Sequence, residues 1–166
     1  SMVHRMNGDL ANDFGNLAQR VLSMINKNCD AQVPAPGSLT DSDRKLLGAA
    51  YDLLPKLRPL YAEQSFHRAL ETMWQVIGDG NRYVDEQAPW GLKKTDPARM
   101  QTVLYVLAET VRHLAILAQP IMPGAMGRML DQLAVPAGGR NFANLSASSA
   151  LKAGTALPKP EGIFPR

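Results

Sequence analysis

With 166 residues, 45% hydrophobic and 20% charged, the chain has the size and composition of one compact globular domain over 1–166, able to bury roughly 70% of its unfolded surface. Its single cysteine, Cys29, rules out an internal disulfide and a cysteine-ligated zinc site. The net charge of +3 is unevenly spread, with nine basic against four acidic side chains in residues 91–166, a bias that suits a nucleic-acid or acidic partner and equally a solvated face. No apolar run approaches the ~20 residues that span a bilayer, and no basic stretch leads into an apolar segment at the start. The expectation is a chain with no membrane partner, located in the cytoplasm. Ser1-Met2 resembles the remnant of a cleaved expression tag, as on a segment taken from a longer protein.

From Val3 to Cys29 there is no proline, and Leu10, Phe14, Leu17, Val21, Met24 and Ile25 recur at helical spacing. This predicts a first amphipathic helix ending near Asn28-Cys29-Asp30, before the loop residues Pro34, Pro36 and Gly37. Thr40, with Asp41 and Asp43 behind it, is an N-cap for a second helix carrying Leu46, Leu47, Ala50, Leu53, Leu54 and Leu57, which Pro55 and Pro59 should kink or break. Phe66, Ala69, Leu70, Met73, Val76 and Ile77 mark a third helix, weakened by Gly78 and Gly80 but extending to about Gln87, where Pro89 must stop it. Thr95 or Asp96 caps a fourth, with Pro97 in its first turn, that runs to Gln119 and is apolar around so much of its circumference that it should lie centrally. Pro123 starts a fifth through Met126, Met129, Leu130 and Leu133, closed by Gly138-Gly139. No strand-like alternation runs longer than a few residues. The predicted architecture is all-α, a bundle of about five helices over 3–136 with an extended tail, 137–166, lying on it.

Little in the chain suggests catalysis. Glu63 with His67, and Glu109 with His113, place a carboxylate and an imidazole one helical turn apart. Di-metal bundles use Glu-x-x-His with further inward glutamates, and the chain has only one more histidine, His4, so these pairs read as ordinary helix-surface pairing and no metal site is expected. Cys29 next to Lys27 reads as a helix-end cysteine rather than a nucleophile, and no phosphate-binding glycine loop is present, so no cofactor is expected in this chain. Met122, Met126 and Met129 read as core filler, and Trp74, beside an apolar helix face, as packing.

Two features are more informative. On the first helix, taking Leu10 as zero, Asn12, Asn16 and Arg20 fall at about 200°, 240° and 280°, with Ser23 and Lys27 in the same stripe. Asparagine amides and a guanidinium can contact base edges by paired hydrogen bonds, whereas the plain alternative is a solvated polar face. Pro89-Trp90, in the loop after the third helix, is a candidate stacking platform for an unpaired base, the alternative being a ring tucked onto the bundle.

The residues Met6-Asn7-Gly8-Asp9-Leu10-Ala11-Asn12-Asp13-Phe14-Gly15-Asn16-Leu17-Ala18-Gln19-Arg20 resemble the first helix of the anticodon-binding domain of bacterial methionyl-tRNA synthetases, with its N-D-L-A-N-x-x-G-N-L-x-x-R pattern. Asn81 to Trp90 resembles the family's helix end and tryptophan loop, and the likeness continues through Leu114 to Pro123 and the ending Leu157 to Arg166. The N-x-x-x-R pair combined with Pro-Trp points to the methionine enzymes among the related class I synthetases.

The resemblance implies recognition of the CAU anticodon of methionine-accepting tRNA. Trp90 would stack on the cytosine, Asn16 and Arg20 would hydrogen-bond anticodon bases, and Asn12 and Pro89 would shape the pocket. It also implies a parent chain whose catalytic region uses ATP, and zinc in an upstream knuckle, to join methionine to tRNA. The HIGH-like and KMSKS-like motifs of that region are absent here, so this chain is not expected to aminoacylate by itself. Two other readings stand beside this one: a freestanding helical-bundle protein-interaction module, and a metal-dependent bundle enzyme.

Overall fold

The structure, a computed structural model, describes residues 2–162; Ser1, residues 163–166 and the side chains of Met2, Val3, His4, Met6 and Asn7 lie outside the described residues. The last four residues of the family-like ending therefore lie outside them too. Seven α-helices occur among the described residues: α1 (Met2–Asn28), α2 (Asp41–Tyr51), α3 (Leu53–Ala62), α4 (Phe66–Gln87), α5 (Pro89–Thr95), α6 (Pro97–Ala118) and α7 (Pro123–Gln132). They are the expected helices, with the second divided and one short helix, α5, added.

Helix α6 is the axis. From Val106 to Ala118 every residue is buried, because α1, α2, α4, α5 and α7 all pack on it. Its amino terminus is capped by Asp96, not Thr95, whose carboxylate accepts from the Arg99 amide at 3.2 Å. Helix α1 lays Leu10, Phe14, Leu17, Val21 and Ile25 against α4 and α6. It packs closely on α4 at Gly80, where an added Cβ would stand 3.0 Å from a Leu17 methyl. The glycine that weakens α4 as a helix thus lets α1 approach.

Thr40 and Asp43 form the expected capping box, with Thr40 Oγ1 accepting from the Asp43 amide at 3.3 Å and Asp43 Oδ2 accepting from the Thr40 amide at 3.0 Å. The break expected from the prolines falls at Asp52, three residues before Pro55, whose ring would meet the carbonyl of Tyr51 if α2 ran on. Pro59 is accommodated inside α3.

Three expectations need correction. Helix α7 is closed by Ala134, at φ 57, and not by Gly138-Gly139. The Ala134 amide donates to Asp131 O and the Val135 amide to Leu130 O, a Schellman closure whose apolar contact joins buried Val135 to buried Leu130. The segment after α7 is not uniformly extended: Ala137–Gly139, Phe142–Asn144 and Ala147–Ser149 are single 3₁₀ turns. Further on the tail pairs with the α1–α2 connection in one antiparallel bridge, Gln32 with Ala156, in which the Val33 amide donates to Thr155 O at 2.9 Å.

The third correction concerns Glu109 and His113, which are buried rather than on the helix surface. Arg112, also buried, donates through Nε and Nη2 to the two Glu109 oxygens at 2.6 and 2.8 Å and through Nη1 to Asn144 O at 2.7 Å. Tyr51 Oη and the Leu151 amide donate to the same carboxylate, so one charge pair joins α6 to α2 and to the tail. The i,i+3 arginine compensates the buried charge, and the tail supplies the remaining partners. Glu63, by contrast, ends α3, and His67 sits 3.1 Å from Glu71 instead. Cys29 is half-buried, and burial with the adjacent Asp30 pushes its thiol pKa up, which disfavours a nucleophilic thiolate. Met126 and Met129 are buried in the core and Met122 packs against it.

Two outcomes follow from this packing. Gly80→Val should cost about 1–3 kcal/mol by forcing α1 from α4, read as a lower denaturation midpoint. Burial would raise the Glu109 carboxyl, but hydrogen bonds from Arg112 and His113 and the charge of Arg112 bring it down from 4.5 to about 2. Its stabilisation is therefore complete above pH 4.5 and is withdrawn as pH falls toward 2. Glu109→Gln should be less stable by about 3–5 kcal/mol at neutral pH, since it leaves Arg112 unpaired, and the gap to wild type in urea titrations should narrow in acid.

Candidate nucleic-acid interface

The polar ridge of α1 faces outward beside the second half of α4. Asn12, Asn16 and Arg20 are exposed, one turn apart, because Phe14, Leu17 and Val21 turn the opposite face into the core. The close approach at Gly80 sets the next turns of α4 alongside this ridge, and Arg20 Nη2 lies 3.2 Å from Asp85 Oδ1. Asp13, Asn16, Gln19, Arg20, Asn81 and Asp85 line a shallow depression of about 610 Å³.

Pro89 and Trp90 are not in a loop, contrary to the expectation from sequence. Ala88 adopts a left-handed conformation, φ 46 and ψ 60, which ends α4, and Pro89 is the first residue of α5. Proline suits that position because its φ is already helical and its missing amide would have no partner there. Pro89 is buried while Trp90, one residue on, is 55% exposed. Phe66 is the other exposed large hydrophobic residue among those described.

The fold brings Arg20 and Trp90 together from helices 70 positions apart in sequence, with Arg20 Cζ 6.0 Å from the indole ring centroid. That is within the range of a cation–π contact. Asn16 lines the depression next to them, whereas Asn12, a turn earlier on the ridge, and Pro89, buried at the start of α5, do not line it. Trp74 is half-buried and donates from Nε1 to Asp13 Oδ2 at 2.6 Å, so the ring assigned to packing also fixes a carboxylate at the margin of this face.

Sequence reasoning missed Asp13, Gln19, Asn81 and Asp85. Asp85 is tied to Arg20 by a contact across 65 positions, a pairing with no local signal. Gln19 donates to the carbonyl of Glu161, which brings the tail to the edge of the ridge.

Charge decides what this face suits. Arg20 is flanked by Asp13 and Asp85, so the depression is not a basic trough for phosphates. One of the five guanidinium donors is engaged by Asp85, and a fork of five can also meet acceptors on a base edge, beside an amide and an open aromatic face. No group of three His, Cys, Asp or Glu side chains among the described residues could hold a metal ion, and no helix of the described residues is long and apolar enough to cross a membrane.

Residues 33–166 match the family model described as the anticodon binding domain of methionyl tRNA ligase. That match begins after α1, but full-length relatives include it. The methionine–tRNA ligase of Mesorhizobium japonicum is 52% identical over 166 residues, covering all of this chain and 32% of its own length. The Mycobacterium tuberculosis enzyme is 47% identical over 170 residues, again with all of this chain and 32% of the relative covered. Crystal structures of Mycobacterium tuberculosis methionyl-tRNA synthetase superpose on it: the apo form with a TM-score of 0.92 at 47% identity, covering 99% of this chain and 34% of that one, and the methionyl-adenylate complex with a TM-score of 0.92 at 48%, covering 99% and 33%. The chain thus spans about a third of the length of these relatives. On these similarities the chain belongs to the family of anticodon-binding domains of methionyl-tRNA ligases.

Proposed function

We propose that this chain, folded as one helical domain over 1–166, reads the CAU anticodon of methionine-accepting tRNA as the carboxy-terminal part of a longer methionine–tRNA ligase. The observation that carries the reading is the exposed Trp90 ring with the Arg20 guanidinium 6.0 Å from its centroid. A single-stranded base needs an open aromatic face for stacking and polar groups at the ring's edge for its Watson–Crick atoms. Trp90 supplies the first for the cytosine, and Asn16 and Arg20 supply the second. Asn12 extends the polar ridge one turn further along α1, and Pro89 holds the start of α5 so that the indole stays outward.

The remaining two thirds of such a ligase would supply the chemistry, joining methionine to tRNA at the expense of ATP in the cytoplasm. On this reading ATP and zinc belong to that catalytic region, which is supported by the single cysteine and the missing phosphate loop of this sequence and by the lack of a trio of metal-ligating side chains among the described residues. This chain's contribution is selection of the tRNA presented to the catalytic region.

Binding of the chain, at low salt, to an anticodon stem-loop bearing CAU and to one with its cytosine replaced tests the reading. Wild type should prefer CAU. Trp90→Ala should weaken that binding by about 1–3 kcal/mol with an unchanged helical circular-dichroism spectrum, since the ring is largely outside the core. Arg20→Gln should lower the preference for CAU by a similar factor, about 1–3 kcal/mol for a paired base contact. Equal affinity of wild type for both loops would sink the reading and favour a protein-interaction module.

A further inference from the structure

Helix α5 carries Trp90 yet is only seven residues long, and its first end has no side-chain cap. It starts from Ala88, a non-glycine residue in left-handed conformation with no side-chain cap, and stops at Asp96, whose φ of −154 and ψ of 76 lie outside helix. A residue of the next helix connects the two ends. Arg99 donates its backbone amide to Asp96 Oδ1 at 3.2 Å and its Nη2 to Gln87 Oε1 at 2.8 Å. Gln87 directly precedes Ala88, so Arg99 touches the chain on either side of α5.

The guanidinium is itself fixed from a third helix. Nη1 donates to Asp43 Oδ2 at 2.6 Å and Nη2 to Asp43 Oδ1 at 2.8 Å, a paired geometry that sets the plane of the fork. Asp43 is completely buried and also accepts from Tyr83 Oη at 2.6 Å and from the Thr40 amide. Burial would raise its carboxyl, but the bonds from Arg99, Tyr83 and Thr40 hold it well below the usual carboxylate range, so the anchor is charged at neutral pH. The capping box of α2, the end of α4 and the start of α6 therefore meet at one point, flanking α5, which itself packs on α6.

Resting on the anticodon reading above, we propose that Gln87, held by Arg99 on the buried Asp43, is a positioning residue for Trp90. It fixes the turn at Ala88 and thereby the angle at which the indole meets Arg20 and the stacked cytosine. Gln87 does not need to touch RNA for this. Its acceptor oxygen stops the end of α4 from turning about the left-handed residue, which would swing α5 and its ring together.

Gln87→Met removes the acceptor at constant length while leaving the Arg99–Asp43 pair intact, so no buried charge loses its partner. Gln87→Glu keeps an oxygen on Arg99. The measurement is the affinity of wild type and both variants for the CAU stem-loop and for the loop with its cytosine replaced, alongside the thermal midpoint of each. Gln87→Met should lower the CAU preference about tenfold, on the scale of one hydrogen bond to a charged group. Its midpoint should stay near that of wild type, and Gln87→Glu should restore the preference. If wild type discriminates and Gln87→Met discriminates equally well, the positioning role is wrong while the anticodon reading stands. If the preference and the midpoint fall together and Gln87→Glu restores neither, Gln87 serves folding alone and the inference is overturned. If wild type shows no preference, the reading beneath the inference fails, and the inference with it.

Discussion

The approach of Leu17 to Gly80 is the constraint from which the candidate face is measured. With a Leu17 methyl 3.0 Å from where a side chain would begin, the Leu17 side chain packs directly on the α4 backbone at that point. One turn further along both helices that spacing puts Arg20 within reach of Asp85, and beyond the end of α4 it puts Trp90 over Arg20. A larger residue at Gly80 would leave every side chain of the face present and the face itself dispersed. Glycine in a helix interior costs about 1 kcal/mol relative to alanine, so here intrinsic helix stability is given up for the distance between two helices.

Two charge pairs complete the frame, one wholly buried and one joining a buried carboxylate to a partly exposed arginine, and they differ in purpose. Glu109 with Arg112 lies on the central helix and collects partners from α2 and from the tail, so it ties both to that helix. Asp43 with Arg99 lies at the end of the bundle nearest Trp90 and gathers Thr40, Tyr83 and Gln87. Pairs with a buried charge contribute little net stability against well-packed apolar residues, but losing one partner is costly, which makes them effective at specifying a single arrangement. The tail adds a strap of its own, with Gln132 bonding both the amide and the carbonyl of Glu161 beside the bond from Gln19.

Helix existence was legible in the chain because apolar spacing, capping residues and prolines act locally. The capping box at Thr40 and Asp43, the burial of α6 and the stop before Pro89 all follow from residues within a few positions of one another. Where expectation and structure part, the deciding contact is one that apolar spacing does not signal. Glu109 and His113 look like surface residues on a helix until Arg112 and the tail cover them. Pro89-Trp90 looks like a loop until Ala88 takes a left-handed conformation, which apolar spacing does not signal and which the contacts on either side of α5 hold in place. Ala134 closes α7 for a related reason: burial of Val135 against Leu130 compensates a strained backbone that glycine would have adopted freely.

The candidate site divides along the same line. The residue types and their order on one helix face, Asn12, Asn16 and Arg20, are a property of the sequence, because helical periodicity alone places them in one stripe. So is the pairing of a proline with an adjacent tryptophan after a long helix. That Trp90 faces solvent beside Arg20, that Asp85 holds the guanidinium and that Arg99 spans the ends of α5 were decided only by tertiary structure. Each depends on segments at least a dozen and up to 70 positions apart, and no local propensity encodes the distance between helices.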